Sequence, residues 1–297
     1  MQPDEVSGTA EGACFVRACA ARERDPSVRN PDSLAKHFLG RWYRALEATV
    51  PVGLSRRLFE RGLPGGYAGH TARTWHCDRT LEAALAGGAE QVVVLGAGYD
   101  TRAYRTRAAT AGLPIFEVDL PATQKRKTDC LRKLYGELPS HVTYVPIDFA
   151  RQGLAEVLLP AGYDPTRRTH FNWEGVTYYI DESAIARVLA FVRDNAPRAS
   201  TITFDYWLRS FVEGDRSSYG ADKLVEYVTD LGEPFRFGLN EGEAEPFLRA
   251  HGFEVESDLG PSELSATYLR RSDGCTLAPI WGMIRMAFAR TSPDRPR

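Results

Sequence analysis

Four acidic side chains each follow a separate short apolar segment of the chain. They are Asp100, Asp119, Asp148 and Glu174. If the segments are strands of one parallel sheet, the four carboxylates meet at one edge, because parallel strands share the edge that holds their carboxyl ends. Carboxylates in such a ring can accept hydrogen bonds from ligand hydroxyl and amino groups and attract a cation. These residues are therefore the first candidates for a ligand site.

The turn Gly96-Ala97-Gly98 follows the first apolar segment. Its glycines let the backbone turn sharply and approach a ligand without interference from a Cβ atom. A dinucleotide-binding turn has a third glycine three residues after Gly98, where this sequence has Thr101. Asp100 is a poor neighbour for a pyrophosphate but suits a cationic ligand. The turn therefore favours S-adenosylmethionine, which has a sulfonium, an ammonium and no phosphate, over NAD.

The later strand ends extend the same interpretation. Asp119 lies 21 residues after Gly98, near the spacing of a carboxylate that binds ribose hydroxyls. Asp148 can accept a hydrogen bond from an exocyclic amine, and Phe149 can cover a purine ring. Glu174 is expected at the mouth of the same crevice. Each residue alone is more typical of a helix cap or a surface position, but the ordered set predicts nucleoside binding.

The elements that must position these residues form a regular series. Alternating strand and helix patterns predict an α/β fold with a doubly wound, mostly parallel sheet of seven strands. We expect Asp181 to cap the helix after the fourth strand, and that helix to bury Ile185, Val188, Leu189 and Val192 on one face. The predicted strands are Gln91–Leu95, Pro114–Val118, Val142–Ile147, Thr169–Trp173, Thr201–Tyr206, Phe253–Glu256 and Met283–Ala289.

Helical patterns precede the first strand. We predict an N-terminal helical cap over residues 1–80, and a core over residues 81–297 with an insertion at about 207–240. An apolar stripe predicts one helix through Leu34, Phe38, Trp42 and Leu46. A flexible connector is expected over 51–69 and a second helix over Thr71–Ala86.

Composition restricts the class of protein. Thirty-seven Lys and Arg residues against 39 Asp and Glu residues give a net charge of -2, which leaves no global basic field for nucleic acid. The five scattered cysteines predict reduced thiols, and the histidine spacing predicts no metal site. We find no signal-peptide pattern and no apolar run of about 20 residues, so we expect a soluble, cytoplasmic protein without membrane contact.

Several segments together resemble the leucine carboxyl methyltransferase family, and most closely its bacterial branch with tetracenomycin-type polyketide O-methyltransferases. The resemblance runs from about residue 17 to 290 and implies a class I methyltransferase fold. Asn30 stands where the family usually has Asp. The segments are Arg22–Asp32, Ala72–Asp78, Gln91–Arg105, Phe116–Pro121 with Lys125 and Lys127, and Glu174–Tyr179.

The resemblance implies which residues contact S-adenosylmethionine. They are Arg73, Gly98, Asp119, Asp148 with Phe149, and Glu174, to which the glycine motif adds Gly96 and Asp100. Arg73 is expected to pair bidentately with the cofactor carboxylate, although a solvated helix position is the commoner place for arginine. The run Lys125-Arg126-Lys127 is interpreted as a solvated helix face.

The small-molecule acceptor is less defined by the sequence. A carboxylate is ionised at neutral pH and needs no base, whereas a phenol benefits from one. His70, His76 and His170 are possible bases, each more typical of a structural position. Tyr178, Tyr179 and Arg209 are candidates for acceptor contacts or catalysis.

Trp75 and Trp207 are expected near the mouth of the acceptor pocket. We expect methyl ester formation on a polyketide-like or aromatic acid, with phenol methylation as the alternative. An NAD-dependent oxidoreductase and a catalytically silent nucleoside-binding protein are the distant alternatives. The sequence does not indicate the oligomeric state.

Overall fold

One mixed sheet runs through the residues that the computed structural model describes, 8–149 and 151–292. The strands lie in the order β3-β2-β1-β4-β5-β8-β7, and β6 pairs with β5. The doubly wound α/β prediction is confirmed, with all seven predicted strands present and β6 as a short, unpredicted eighth. The strands are β1 Gln91–Leu95, β2 Ile115–Asp119, β3 Val142–Pro146, β4 Thr169–Trp173, β5 Thr201–Leu208, β6 Gly238–Leu239, β7 Phe253–Leu259 and β8 Ile284–Thr291.

Helices precede the first strand along the chain and also lie on both faces of this sheet. Two short 3-10 helices accompany them, at Ala35–Phe38 and Thr177–Tyr179. The α-helices of the described residues are α1 Gly8–Ala20, α2 Arg41–Thr49, α3 Val52–Gly62, α4 Gly66–Ala86, α5 Arg102–Arg105, α6 Arg107–Thr110, α7 Pro121–Tyr135, α8 Leu154–Leu158, α9 Glu182–Asn195, α10 Arg209–Val212, α11 Ala221–Asp230, α12 Ala244–Ala250 and α13 Pro261–Tyr268.

Strand directions create the crevice that a ligand needs. The neighbouring pairs from β3 to β5 are all parallel. β8 is antiparallel to both of its neighbours, β5 and β7, and lies between them. The chain order reverses between β1 and β4, and the carboxyl ends of parallel strands flank a crevice at such a reversal.

The central strands are anchored by the apolar residues that the sequence indicates. β1 and β4 are buried along their whole length because helices cover both faces. The Oδ1 atom of Asp181 accepts a hydrogen bond from the backbone N–H of Ala184 at 2.8 Å, which confirms the predicted helix cap. The helix α9 buries its predicted face, formed by Ile185, Val188, Leu189 and Val192.

The N-terminal helices differ from the prediction. The stripe from Leu34 to Leu46 is two elements, because Leu39 and Gly40 adopt extended backbone conformations that separate a 3-10 helix from α2. Trp42, predicted on the apolar face, is 71% exposed. The expected connector over 51–69 is mostly helical, since it holds α3 and the start of α4.

Residues from both ends of the described chain share one apolar cluster. Val16 and Cys19 of α1 belong to it together with Leu264 of α13 and Trp281. A Cβ atom on Gly69 would lie 2.3 Å from Cε3 of Trp281, so the indole packs directly on the backbone of α4. The division into a cap and a core stays a prediction, and residues 1–7 and 293–297 lie outside the described part.

Candidate functional site

A cavity of about 890 Å³ lies at the carboxyl ends of the strands, between the sheet and the N-terminal helices. The size is within the range of small-molecule sites. The structure brings all eight predicted cofactor residues to the lining of this one cavity. They are Arg73, Gly96, Gly98, Asp100, Asp119, Asp148, Phe149 and Glu174.

The glycine turn forms the floor of this cavity. Gly96 and Gly98 have φ values of 66° and 41°, which side chains rarely adopt. A Cβ atom on Gly96 would lie 2.3 Å from Cγ2 of Val176, whereas a Cβ atom on Gly98 would meet no atom closer than 3.8 Å. Gly96 is therefore required by packing, whereas a Cβ atom on Gly98 would make only ordinary van der Waals contacts.

Asp119 fastens the turn to the end of β2. Its Oδ2 atom accepts a hydrogen bond from the backbone N–H of Gly98. Its Oδ1 atom accepts from the backbone N–H of Leu120 at 2.6 Å. The carboxylate therefore has a role in holding the loop, in addition to any contact with a ligand.

Glu174 lies between two arginines. Its Oε1 atom is 2.9 Å from Nε of Arg73, and its Oε2 atom is 2.7 Å from Nη1 of Arg102. These guanidinium groups outweigh the effect of burial and hold the pKa of Glu174 far below its usual range. The sequence predicts Glu174 at the site but not its pairing with Arg102, which lies in the Asp-Thr-Arg part of the glycine motif.

Arg73 contacts four other side chains at the site. Its Nη1 atom is 3.0 Å from Oδ2 of Asp205 and 3.0 Å from the hydroxyl of Tyr178, and its Nη2 atom is 3.0 Å from Nδ1 of His70. With the bond to Glu174, four of the five guanidinium N–H groups are engaged. One N–H therefore stays available for a ligand, which is fewer than the predicted bidentate pairing requires.

Two further acidic groups of the cavity, Asp100 and Asp32, are also paired with arginines. Asp100 forms an ion pair with Arg102 and accepts from the backbone N–H of that residue at 2.7 Å. Arg17 is paired with Asp32, with Nε 2.9 Å from Oδ2. Asp32 is buried at the end of the segment that resembles the family entry motif. The sequence predicts Asp100 at the cavity but not Asp32, Arg17 or Arg102.

Asp148 and Phe149 follow β3. The Oδ2 atom of Asp148 is 3.5 Å from Nε of the exposed Arg151. Phe149 packs on the apolar core behind β4 and lines the cavity with its partly buried ring. Both residues line the cavity, and their role at a purine remains a prediction.

A large part of the remaining lining is apolar. It comes largely from the N-terminal helices and α11, with Tyr178, Tyr179 and Trp207 from the sheet side. These apolar and aromatic residues include Phe15, Tyr43, Leu46, Leu58, Phe59, Leu63, Tyr227, Val228 and Trp281. Sequence reasoning placed Tyr178, Tyr179 and Trp207 near the acceptor but missed the contribution of α1, α2 and α3, because it interpreted their residues as a helical stripe and a connector.

Two predicted acceptor residues do not line the cavity. Nη2 of Arg209 is 3.2 Å from Oε2 of Glu243, and the side chain is 39% exposed. Arg209 is the first residue of α10, directly after β5. Nε1 of Trp75 donates to the backbone carbonyl of Arg29 at 3.0 Å, outside the cavity lining.

The three candidate bases have different positions. His70 lines the cavity, whereas His76 and His170 do not. Burial and the neighbouring Arg73 lower the pKa of His70 well below its usual value. Burial lowers the pKa of His76 to about 4 and that of His170 to about 3. All three imidazoles are therefore neutral at pH 7.

One basic residue near the cavity, Lys127, does not lie on the solvated helix face that was predicted for it. Lys125 is exposed, as a solvated helix face requires, but the side chain of Lys127 is 1% exposed. Its Nζ atom lies 2.8 Å from Oε2 of Glu117 and 3.4 Å from the carbonyl oxygen of Ala97 in the glycine turn. The turn of α7 directs Lys127 inward, toward β2 and away from solvent.

Among residues 8–149 and 151–292, no group of three or more His, Cys, Asp or Glu side chains is arranged to hold a metal ion. Within the same residues, no helix is long and apolar enough to cross a membrane.

Comparisons with known proteins agree with this geometry. The family model for leucine carboxyl methyltransferase matches residues 10–193. A candidate S-adenosyl-L-methionine-dependent methyltransferase of Streptomyces coelicolor is 32% identical over 216 residues, 72% of this chain and 73% of the relative. One of Bacillus subtilis is 31% identical over 194 residues, 65% of this chain and 64% of the relative, so the match spans less than two thirds of that protein.

Solved structures show the same fold. A DUF574 family protein from Streptomyces avermitilis has a TM-score of 0.61 at 14% identity, with 97% of this chain and 98% of that chain covered. A candidate methyltransferase from Thermobifida fusca has a TM-score of 0.57 at 15% identity, with 96% and 98% covered. From the family match and its relatives, the chain belongs to the leucine carboxyl methyltransferase family and is an S-adenosyl-L-methionine-dependent methyltransferase.

Proposed function

We propose that the protein is an O-methyltransferase that forms a methyl ester on the carboxylate of a small aromatic or polyketide-like acid. One observation carries the proposal. The cavity joins a polar half, built on the strand ends, to an apolar half, built on the N-terminal helices, and its candidate base, His70, is a weak base because burial and Arg73 lower its pKa.

The polar half fits S-adenosylmethionine. Gly98 lines the cavity, and Asp119 lies beside it with a carboxylate that suits ribose hydroxyls. Phe149 and Asp148 suit the adenine, and the free N–H of Arg73 suits the cofactor carboxylate. When bound there, the cofactor supplies a methyl group activated by its sulfonium.

The apolar half suits a planar or polyketide-like acceptor. Phe15, Phe59 and Tyr227 contribute aromatic surface, and the hydroxyls of Tyr178 and Tyr179 lie at the border with the polar half. Apolar walls exclude water and orient the acceptor, which is the main contribution that a protein makes to methyl transfer.

The protonation states of the lining favour an acid as acceptor. The Tyr178 hydroxyl is buried beside Asp205, which raises its pKa well above the usual value, so it stays protonated. Nδ1 of His70 is engaged by Arg73. A carboxylate is already ionised at pH 7, and its conversion to a methyl ester releases no proton, so it needs no base.

The product of the reaction tests this proposal. Purified protein is incubated with methyl-labelled cofactor and a panel of aromatic acids, each paired with the phenol of the same ring. We expect label in the acids, released by mild base because esters hydrolyse under these conditions. A base-stable product from the phenols would replace ester formation with ether formation. Binding of S-adenosylhomocysteine without turnover of either class would overturn both interpretations and place the acceptor in another chemical class.

A further inference from the structure

His70 is held in one orientation at the border of the two halves of the cavity. Its Nδ1 atom is 3.0 Å from Nη2 of Arg73. Its ring makes an edge contact with Trp281, with ring centres 5.1 Å apart. The side chain lies on α4, so helix, arginine and indole together fix the imidazole ring.

The Arg73 contact determines which nitrogen of His70 carries the proton. A guanidinium has donors only, so Nδ1 must be the acceptor of this bond and has no proton. The neutral ring then carries its proton on Nε2. The charged groups around the ring are Arg73, Arg17 and Glu174, and burial with the two arginines opposes a second proton.

The Nε2 atom of His70 is not used by the protein. It has no hydrogen-bond partner among the described residues, and it is not among their enclosed, unpartnered polar atoms. His70 is 7% exposed and lines the cavity. The structure therefore leaves an unused N–H donor on a fixed ring in the cavity lining.

Resting on the proposed function, we propose that His70 is a specificity-determining residue whose Nε2–H donates a hydrogen bond to one oxygen of the acceptor carboxylate. A carboxylate has two equivalent oxygens, so one can receive this bond while the other keeps a lone pair directed at the methyl group. A phenolate has a single oxygen, and the same bond would reduce its reactivity. The residue therefore selects carboxylates over phenols.

Two substitutions separate the two nitrogen atoms. An asparagine amide reaches approximately the position of Nδ1, so His70→Asn keeps an acceptor for Arg73 and loses the donor in the cavity. A glutamine amide reaches approximately the position of Nε2, so His70→Gln keeps that donor. Neither variant introduces a charge, and both leave Arg73 held by Glu174 and Asp205.

Binding of 2-naphthoate to the protein saturated with S-adenosylhomocysteine tests the proposal by calorimetry. We expect His70→Asn to weaken binding about 10–100-fold, the range for one hydrogen bond to a charged group. His70→Gln should stay within a few-fold of wild type. Equal binding to wild type and His70→Asn would overturn the proposal. The affinity for S-adenosylhomocysteine itself, measured in each variant, reports whether Arg73 has moved.

Nitrogen NMR of the histidine-labelled protein tests the proton position without any acceptor. The His70 signals are assigned by their loss in His70→Asn. We expect an unprotonated Nδ1 and a protonated Nε2 at pH 7, and a proton on Nδ1 would overturn the proposal. If wild type does not bind 2-naphthoate, the carboxylate contact of His70 is overturned, whereas label in the acids of the product assay would still support the proposed function.

Discussion

The Nζ atom of Lys127 lies 2.8 Å from Oε2 of Glu117, and both side chains are 1% exposed. A lysine is almost never fully buried without a partner. The partner here is also close to the glycine turn, because the same Nζ atom is 3.4 Å from the carbonyl oxygen of Ala97. A buried ion pair therefore lies directly beneath the loop that forms the floor of the cavity.

Removal of one charge from this pair should cost more than removal of both. We expect Lys127→Met to lower the free energy of unfolding by about 3–5 kcal/mol at pH 8, because it leaves a buried carboxylate without its cation. The double variant Lys127→Met with Glu117→Gln should recover more than half of that loss. Urea unfolding measures both values.

The exposed Lys125 supplies the matched control for this experiment. It pairs with Asp129 at the surface, so Lys125→Met should change the free energy of unfolding by less than about 1 kcal/mol. A double variant that is no more stable than Lys127→Met would contradict the role of the pair.

The two glycines of the turn should respond differently to alanine. Gly96→Ala places a Cβ atom against Val176 in addition to backbone strain, whereas Gly98→Ala adds strain without a clash. We expect Gly96→Ala to be the more destabilising variant by about 1–3 kcal/mol, the usual cost of overpacking. Val176→Ala should recover part of the loss in Gly96→Ala but none in Gly98→Ala, as measured by thermal or urea unfolding.

Asp119 should contribute to cofactor affinity. We expect Asp119→Ala to weaken S-adenosylhomocysteine binding about 10–100-fold, because it removes a charged acceptor for ribose hydroxyls and releases the N–H groups of Gly98 and Leu120. Calorimetry gives the dissociation constant. An unchanged value would show that this carboxylate acts on the loop alone.

Buried histidines should make stability depend on pH. Burial lowers the pKa of His76 from 6.5 to about 4, so between these values the unfolded chain binds a proton that the folded chain does not. Stability therefore falls as the pH falls through this window, by about 1.4 kcal/mol per pH unit for one such group. His76→Phe should reduce the slope by this amount between pH 5 and 6.

Other groups must be separated from His76 in this measurement. Burial raises the pKa of Glu117 to about 7, which gives the opposite slope, but Glu117 is present in wild type and variant and cancels in their difference. Above pH 7.5 the two stability curves should be parallel. A variant curve parallel to wild type over the whole range would mean that His76 is not buried as a neutral group.

Local patterns of the sequence were sufficient to predict the seven main strands of the sheet. β1 is a run of β-branched residues that ends at a glycine turn, and such boundaries are visible without any neighbour. The prediction of one continuous helix through Trp42 was wrong, because a periodic pattern does not reveal the break at Gly40. Glycine is a residue type that permits both helix and turn.

The side-chain pairings within the cavity could not be predicted without the fold. Arg73 contacts Glu174 and Asp205, which are 101 and 132 residues away along the chain. The sequence indicated Arg73 and Glu174 as separate ligand contacts, but their mutual ion pair depends on the register of β4 and β5 against α4. Lys127 was misplaced for the same reason, since a basic run does not show which of its members points to the core.

The position of β8 has a consequence for the order in which the protein assembles during synthesis. β7 is made before β8 but joins the sheet only through it, because β8 is its sole strand partner among the described residues. While residues 284–291 are still inside the ribosome, strands β1 to β5 can pair with one another. At that stage β5 has an open edge and β7 has no strand to join. A chaperone that shields this edge would act on the nascent chain until β8 emerges.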